Sequence, residues 1–329
     1  MDLAIKRNGY DPFIDYLKGV SIIFVILTHL FSPELQEQSL FCLWGAMAVP
    51  LFMLIQVFHA YKKDSVVLKW KQMCKRIIVP FVMTQVIICM LLILLNGKIE
   101  ISIFQNFGNY GPGAYYPYIY IQFAILLWLI SPYVQKVKNT IVLLVIFIVV
   151  SQLLELLSIY LEIDTDVYRL LFFRYTFLIF LGLLLVRGKL KLTIWTGVLS
   201  LVSILSILAF EGYVGGGKFL SSAFYMDGWR IFHWICYFYV AYFLLFAMKW
   251  SFTHLSESNV VYRYLIDCGK YSYELFLFQM LFLTVSPVNI VCSKLLGTGW
   301  YVDFISIVLN LIVITIPVLT YKKWRDRNV

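Results

Sequence analysis

Residues 15–29 read DYLKGVSIIFVILTH, and this stretch decides how the rest of the chain is interpreted. Between Lys18 and His29 only Ser21 and Thr28 interrupt the apolar and small residues, which predicts a membrane-spanning helix. Eleven residues of α-helix bring His29 back to within roughly 20° of Lys18, about 16 Å further along the axis. Asp15 lies one turn before Lys18 on the same stripe. Three ionisable side chains are therefore predicted to share one face of the first span.

The composition of the whole chain is that of an integral membrane protein. The 329 residues are 61% hydrophobic and only 14% charged, whereas soluble domains are near 45–50% apolar and about 25% charged. The six cysteines have no CxxC spacing, which argues against a metal site or a disulfide framework. The net charge of +9 could indicate nucleic-acid binding, but the basic residues lie in short loops between apolar segments. Membrane topology explains that excess better.

Apolar windows of about 20 residues predict an all-α bundle of about ten transmembrane helices in one domain that covers residues 1–329. Of the 27 Lys and Arg residues, 21 lie in the N-terminal segment, the even-numbered loops and the C-terminal tail. Since positive loops remain in the cytoplasm, both termini are predicted to be cytoplasmic. The predicted spans cover residues 13–31, 41–61, 77–96, 115–133, 140–160, 169–186, 193–210, 231–249, 273–293 and 302–320.

His29 is the strongest candidate for a catalytic residue. Ionisable groups inside a span cost several kcal/mol and are functional candidates by default. Imidazole accepts a proton near neutral pH and returns it, which suits a general base acting on a hydroxyl. Asp15 is expected to pair with Lys18 and fix its orientation, because a buried cation needs a counter-charge. The alternative for His29 is a hydrogen bond between helices that serves packing alone.

A second basic cluster precedes the third span, in the sequence KKDSVVLKWKQMCKRIIVP, residues 62–80. Lys75 and Arg76 stand where that helix is predicted to enter the membrane. A guanidinium binds phosphate oxygens through two parallel hydrogen bonds, so an anionic cytoplasmic cosubstrate would be held here. For the loop as a whole, topology and contact with anionic lipid headgroups are the simpler explanation.

On the outer side, two longer loops carry groups that suit a sugar. One loop ends in Gly111-Pro112-Gly113, and the other contains Gly215-Gly216-Gly217 and Trp229. Glycine-rich loops are common in any protein, and the tyrosines at the start of span four also fit an interfacial aromatic belt. The predicted substrate-binding residues are Tyr116, Tyr118, Gln122, Arg174 and Trp229.

At these residues the chain resembles the acyltransferase 3 family of bacterial membrane proteins. The resemblance covers nearly the whole chain. It rests on IDYLKGVSIIFVILTH (14–29), AVPLFMLI (48–55), KRIIVP (75–80), GPGAYYPYIYIQFAIL (111–126), RYTFLIFLG (174–182) and GKYSYELFLFQ (269–279). The family typically has Arg where this chain has Lys18, a Ser-Gly pair near Ile55-Gln56-Val57, and often His where this chain has Gln279.

The resemblance implies a ten-span enzyme of the bacterial cytoplasmic membrane that transfers an acyl group, usually acetyl, to cell-envelope or exported carbohydrates. It implies acyl-CoA as the cosubstrate and no permanently bound cofactor or metal. His29 would be the catalytic base, with Asp15 and Lys18 beside it, and Lys18, Lys75 and Arg76 would bind the donor. The competing class is a carrier or exporter of polysaccharides or lipid-linked sugars, which also uses intramembrane His, Arg and Glu.

Overall fold

A computed structural model describes residues 10–62, 66–98, 101–214, 223–255, 257–286, 288–296 and 299–328. The described chain is helical and contains no β-strand. The principal α-helices are α1 (Pro12–Leu30), α2 (Pro33–Gln38), α3 (Phe41–Trp44), α4 (Ala48–Tyr61), α5 (Trp70–Met73), α6 (Val79–Asn96), α7 (Ile101–Gln105), α8 (Tyr116–Val134), α9 (Thr140–Tyr160), α10 (Thr165–Arg169), α11 (Phe177–Val186), α12 (Ile194–Phe210), α13 (Leu245–His254), α14 (Val260–Lys270), α15 (Ser272–Val285), α16 (Val288–Leu296) and α17 (Trp300–Asn328).

Seven helical segments of the described chain are long and apolar enough to cross a membrane: Pro12–Leu30, Phe41–Tyr61, Trp70–Asn96, Tyr116–Val134, Thr140–Tyr160, Trp234–His254 and Trp300–Asn328. Three shorter apolar helices, Phe173–Val186, Ile194–Phe210 and Ser272–Val285, lie at the remaining predicted positions. The all-helical prediction is therefore confirmed. The count of about ten spans and the cytoplasmic location of both termini stay predictions.

The helix α1 is fixed at both ends by its sequence. The Asp11 side chain accepts a hydrogen bond from the Phe13 amide, and Pro12 occupies the first turn, where its missing N–H costs nothing. At the other end Phe31 is extended, and Pro33 begins the next helix. Because α1 packs against α4, α14, α15 and α17, it lies inside the bundle rather than against lipid.

Two glycines bring α1 and α14 into close contact. A Cβ added at Gly19 would overlap the carbonyl of Leu265, and one added at Gly269 would overlap the carbonyl of Asp15. The two main chains therefore meet directly at this crossing. Small residues at such positions are typical of membrane helices, since they let backbones approach without intervening side chains.

The second buried element is α11, whose ten residues are all buried. Gly182 of α11 packs against Val57 of α4, where a Cβ would overlap the valine side chain. By contrast, α6, α9 and α12 expose many large apolar side chains, as expected of helices that face lipid. The interior thus consists of α1, α4, α11 and the segment leading into α13, with the lipid-facing helices around it.

Candidate functional site

A cavity of about 730 Å³ lies between α1, α4, α8 and α15, and is closed on one side by residues 66–77. Four residues of α1 line it at successive turns: Lys18, Ile22, Val25 and His29. The spacing of four, three and four residues is that of one helical face. The cavity therefore runs along α1 from the level of Lys18 to the level of His29.

His29 is exposed rather than buried, and it lines this cavity. Gly113 lies next to it, because a Cβ built on Gly113 would stand 3.9 Å from Nε2 of His29. The same Cβ would lie 2.9 Å from the ring of Phe276, and Gly113 has a φ of +82°. Only glycine adopts that conformation without strain. Because glycine also has no side chain, the Gly-Pro-Gly loop packs closely beside Nε2.

Lys18 and Asp15 form an ion pair with Nζ and Oδ1 2.5 Å apart. Asp15 is buried, whereas Lys18 lines the cavity. Ahead of the helix, burial and a hydrogen bond to Asp15 raise the pKa of the Tyr10 hydroxyl. The Asp15 carboxylate thus pairs with the Lys18 ammonium without lining the cavity itself. The main chain of Asp15 is in turn fixed by the contact with Gly269.

The end of the cavity at the level of Lys18 is cationic. Lys18, Lys69 and Arg76 line it from three separate segments, together with the amide of Gln72. None of the described residues that line the cavity is acidic. A chamber walled by positive charges in a low-dielectric surround attracts an anionic ligand. Lys75 is exposed beside Arg76 but does not line the cavity.

Arg76 lies in a π-helical turn, Cys74–Ile78, that joins α5 to α6. Pro80 explains this turn, because a proline has no N–H to donate four residues back and its ring clashes with that carbonyl, here the carbonyl of Arg76. The Val79 amide accordingly bonds to the carbonyl of Cys74 instead. Single π-turns of this kind occur frequently at functional sites.

Aromatic rings form the opposite end of the cavity, at the level of His29. Tyr116 packs edge-on against Phe52 and Phe276, with ring centroids 5.9 and 5.5 Å apart, and all three line the cavity. Tyr115 lines it as well. A wall of rings close to His29 suits the apolar face of a sugar or the methyl of an acyl group.

Tyr118 and Gln122 lie on α8 but do not line the cavity. The hydroxyl of Tyr118 donates to the carbonyl of Gly108 at 3.1 Å. The amide of Gln122 donates to the carbonyl of Leu170 and accepts from the amide of Phe172. Both side chains hold neighbouring loops in place, and their predicted role in substrate binding stays a prediction.

Arg174 and Trp229 contact each other behind the aromatic wall of the cavity. The guanidinium carbon of Arg174 lies 4.1 Å from the Trp229 ring and 5.2 Å from the ring of Tyr115. Arg174 is only 5% exposed, and its Nε and Nη1 make no hydrogen bond within the described chain. Arg174 therefore contacts Tyr115, which lines the cavity, but neither Arg174 nor Trp229 lines the cavity itself. The predicted Gly215-Gly216-Gly217 turn lies outside the described residues.

The sequence interpretation missed His59, Lys69 and Gln72, all of which line the cavity. His59 had a readable signal. With Phe52 and Gln56 it forms a spacing of four and three residues, which places two polar side chains on one face of an otherwise apolar span. Lys69 directly precedes the short helix α5 and Gln72 lies within it. The position of that helix over the cavity depends on long-range packing, which local sequence does not show.

The comparisons with known proteins agree with this architecture. A family model described as an acyltransferase domain, that of the acyltransferase 3 family, matches residues 11–324. No curated protein and no solved structure matches the chain. The match spans nearly the whole chain, including every helix that lines the cavity. The chain therefore belongs to the acyltransferase 3 family and is a membrane protein with an acyltransferase domain.

Proposed function

We propose that this protein is an O-acyltransferase that moves an acyl group, normally acetyl, from cytoplasmic acyl-CoA to a hydroxyl of a cell-surface or exported carbohydrate. One observation carries the proposal: a single cavity is lined both by the imidazole of His29 and by the cations Lys18, Lys69 and Arg76. A donor with a phosphorylated end and a reactive thioester needs these two kinds of group at opposite ends of one chamber.

His29 is the general base of the proposed reaction. Its Nε2 accepts the proton of the acceptor hydroxyl while the hydroxyl oxygen attacks the thioester carbonyl. The tetrahedral intermediate then collapses, the carbon–sulfur bond breaks, and the imidazolium returns the proton to the departing thiolate. The products are an ester and free coenzyme A, and no cofactor remains bound. The cationic surroundings stabilise the negative charge that develops on the carbonyl oxygen.

The donor is proposed to enter from the inner, cationic end. Lys18 and Arg76 would bind its phosphates, and the exposed Lys75 would attract the part that remains outside the cavity. The rise of α1 between Lys18 and His29 is about 16 Å, so an extended arm can span the chamber from phosphates to thioester. Asp15 acts as a positioning residue, since its pairing with Lys18 keeps that ammonium on the cavity wall.

The acceptor is proposed to reach His29 from the outer side, past Gly113. Tyr116 offers a ring on which the apolar face of a sugar stacks. Tyr118, Gln122, Arg174 and Trp229 belong to the surrounding layer that shapes this end, and Arg174 adds a positive charge behind Tyr115. This arrangement fits an enzyme of the bacterial cytoplasmic membrane whose donor and acceptor approach from opposite faces.

The test is acetyl transfer by the purified protein and by its His29→Ala variant. We expect His29→Ala to abolish transfer while membrane abundance and thermal stability are retained. His254→Ala is the matched control, because that imidazole is exposed at the end of α13 and bonds to the carbonyl of Trp250, away from the cavity. Retained acylation in the His29→Ala strain contradicts the catalytic role.

The acceptor class is read by mass spectrometry of envelope glycans from cells with and without the gene. An acyltransferase removes acetyl or succinyl mass units when it is deleted. A carrier of polysaccharides or lipid-linked sugars, the competing function, instead changes the amount or location of the glycan with its acylation intact.

A further inference from the structure

The loop that brings Gly113 to His29 is bound by a side chain that does not line the cavity, the carboxamide of Gln85. Gln85 lies on α6 and is fully buried. It stands eleven residues before Asn96, the last residue of α6, and therefore about 16 Å from that end of the helix. A buried amide at such a distance from the end of a span is costly unless hydrogen bonds satisfy it.

Three hydrogen bonds to the main chain of the loop satisfy this amide. Nε2 of Gln85 donates to the carbonyl of Tyr110 at 2.9 Å. Oε1 accepts from the amide of Tyr110 at 3.0 Å and from the amide of Gly108 at 3.2 Å. The carboxamide therefore pairs with both the N–H and the C=O of Tyr110, as a neighbouring peptide group would. Because all three partners are main-chain groups, the bonds fix the path of the loop itself.

The loop of residues 106–115, between α7 and α8, contains neither α-helix nor strand, yet it returns into the bundle beside Gln85. Non-helical main chain within a membrane is tolerated only where the protein satisfies its polar groups or where it lines a cavity. A second contact follows at Gly111, where a Cβ would stand 2.9 Å from the carbonyl oxygen of Met280 and φ is +83°. The 106–115 loop is therefore fixed from α6 and from α15 just before it reaches Gly113.

We propose that Gln85 is a positioning residue for acyl transfer, and that it acts by fixing the loop that places Gly113 beside Nε2 of His29. The inference rests on the proposed function, in which the acceptor reaches His29 past Gly113. Only two residues separate Tyr110 from Gly113, so a shift of the Tyr110 main chain displaces the opening beside the imidazole. The phosphates of the donor are bound at the other, cationic end of the cavity, so donor affinity should not depend on Gln85.

The experiment uses Gln85→Met, which keeps the length of the side chain and removes all three hydrogen bonds. Hydrogen–deuterium exchange of the purified, full-length protein reports on the 106–115 loop. Each lost bond favours the bound loop roughly fivefold, so exchange in the loop should accelerate at least about tenfold.

Transfer is measured as tritiated acetyl moved from acetyl-CoA to glycans in membranes that contain the protein. In Gln85→Met the rate should fall at least about tenfold, because the opening beside His29 is displaced. The affinity of the purified variant for acetyl-CoA should change by less than about twofold. Loss of folded protein would instead lower the number of acetyl-CoA binding sites and the rate together.

Gln85→Glu is the rescue variant, because a protonated carboxyl accepts and donates at the same two positions. It should restore both slow exchange and transfer. Gln152→Met is the matched control, since Gln152 on α9 also makes three hydrogen bonds to another segment but does not line the cavity. Its partners are Phe224, His233 and Trp234. This variant should leave the exchange of the 106–115 loop and the rate of transfer unchanged.

The inference is overturned if the 106–115 loop exchanges in Gln85→Met as it does in the unmodified protein. It is also overturned if the loop exchanges faster while transfer is retained. Equal losses of transfer in Gln85→Met and Gln152→Met would overturn it as well, since general destabilisation would then explain both. Failure of the unmodified protein to transfer acetyl refutes the proposed function, whereas transfer that does not depend on Gln85 refutes this inference alone.

Discussion

Gly269→Ala tests whether the contact between α1 and α14 positions the site. Gly269 lies against the main-chain carbonyl of Asp15, the residue that holds Lys18 at the cavity. A methyl group at this position would overlap that carbonyl, and neither partner is a side chain that can rotate away. The two helices must therefore separate by about 1 Å or more, and the Asp15–Lys18 pair must shift with α1.

The expected magnitude has two parts. Overpacking typically costs about 1–3 kcal/mol, and a clash between two main chains belongs at the upper end of that range. A displacement of about 1 Å at a reacting centre costs roughly a hundredfold in rate. We therefore expect Gly269→Ala to lower the free energy of unfolding by about 3 kcal/mol and acetyl transfer by roughly a hundredfold.

Both effects are measured on protein purified in detergent, by thermal unfolding and by transfer from acetyl-CoA. Gly197→Ala is the matched control, because Gly197 lies within α12 and a Cβ there meets nothing within 4 Å. Alanine in a helix is favoured over glycine by about 0.5–1 kcal/mol, so this variant should be slightly more stable and fully active. If Gly269→Ala behaves like Gly197→Ala, the packing of α1 on α14 does not position the site.

Three further substitutions test single parts of the account. Gly113→Ala should lower the rate of transfer about tenfold with little change in donor affinity, because alanine at this positive φ costs about 1–2 kcal/mol and its methyl group would contact Phe276. Unchanged kinetics would show that this loop is not part of the site. Lys18→Ala should raise the KM for acetyl-CoA at least tenfold, whereas Lys18→Arg should retain the KM because Arg also pairs with Asp15. If the KM of Lys18→Ala equals that of Lys18→Arg, the positive charge is dispensable. Arg174→Met should raise the KM for the acceptor. Its melting temperature should stay within a few degrees of that of the unmodified protein, because the loss of cation–π contacts is offset by the removal of unpaired buried donors. An unchanged KM would assign Arg174 to packing.

The sequence predicted the helical class and the family because both depend on features that are local in the chain. Apolar windows located segments at all ten predicted positions, but a hydropathy window does not record hydrogen-bond patterns. Hydropathy therefore does not show that a 3₁₀ turn, Phe173–Tyr175, precedes α11. It also does not show that a π-helix, Tyr239–Leu244, precedes α13. These irregular turns shorten or interrupt the regular helices.

The candidate site was predictable where one helix supplies it and unpredictable where loops do. The 3.6-residue period places Lys18 and His29 on one face of α1, and both line the cavity in the structure. No local signal places Gly113 beside His29, or Lys69 over the inner end, since both depend on long-range packing of loops. Tyr115 and Tyr118 illustrate the limit: they are only three residues apart in sequence, yet only Tyr115 lines the cavity.

The central claim is that one continuous chamber connects the cationic end to His29, and Ala124→Trp tests it most directly. Ala124 lines the cavity from the middle of α8, about 12 Å along the axis from Tyr116. The measurement is the rate of acetyl transfer from acetyl-CoA by folded Ala124→Trp protein, as judged by its elution and melting temperature. The account predicts a loss of at least a hundredfold, because an indole fills the path of the donor. Transfer at the unmodified rate would contradict it, since the acyl group would then reach His29 by another route.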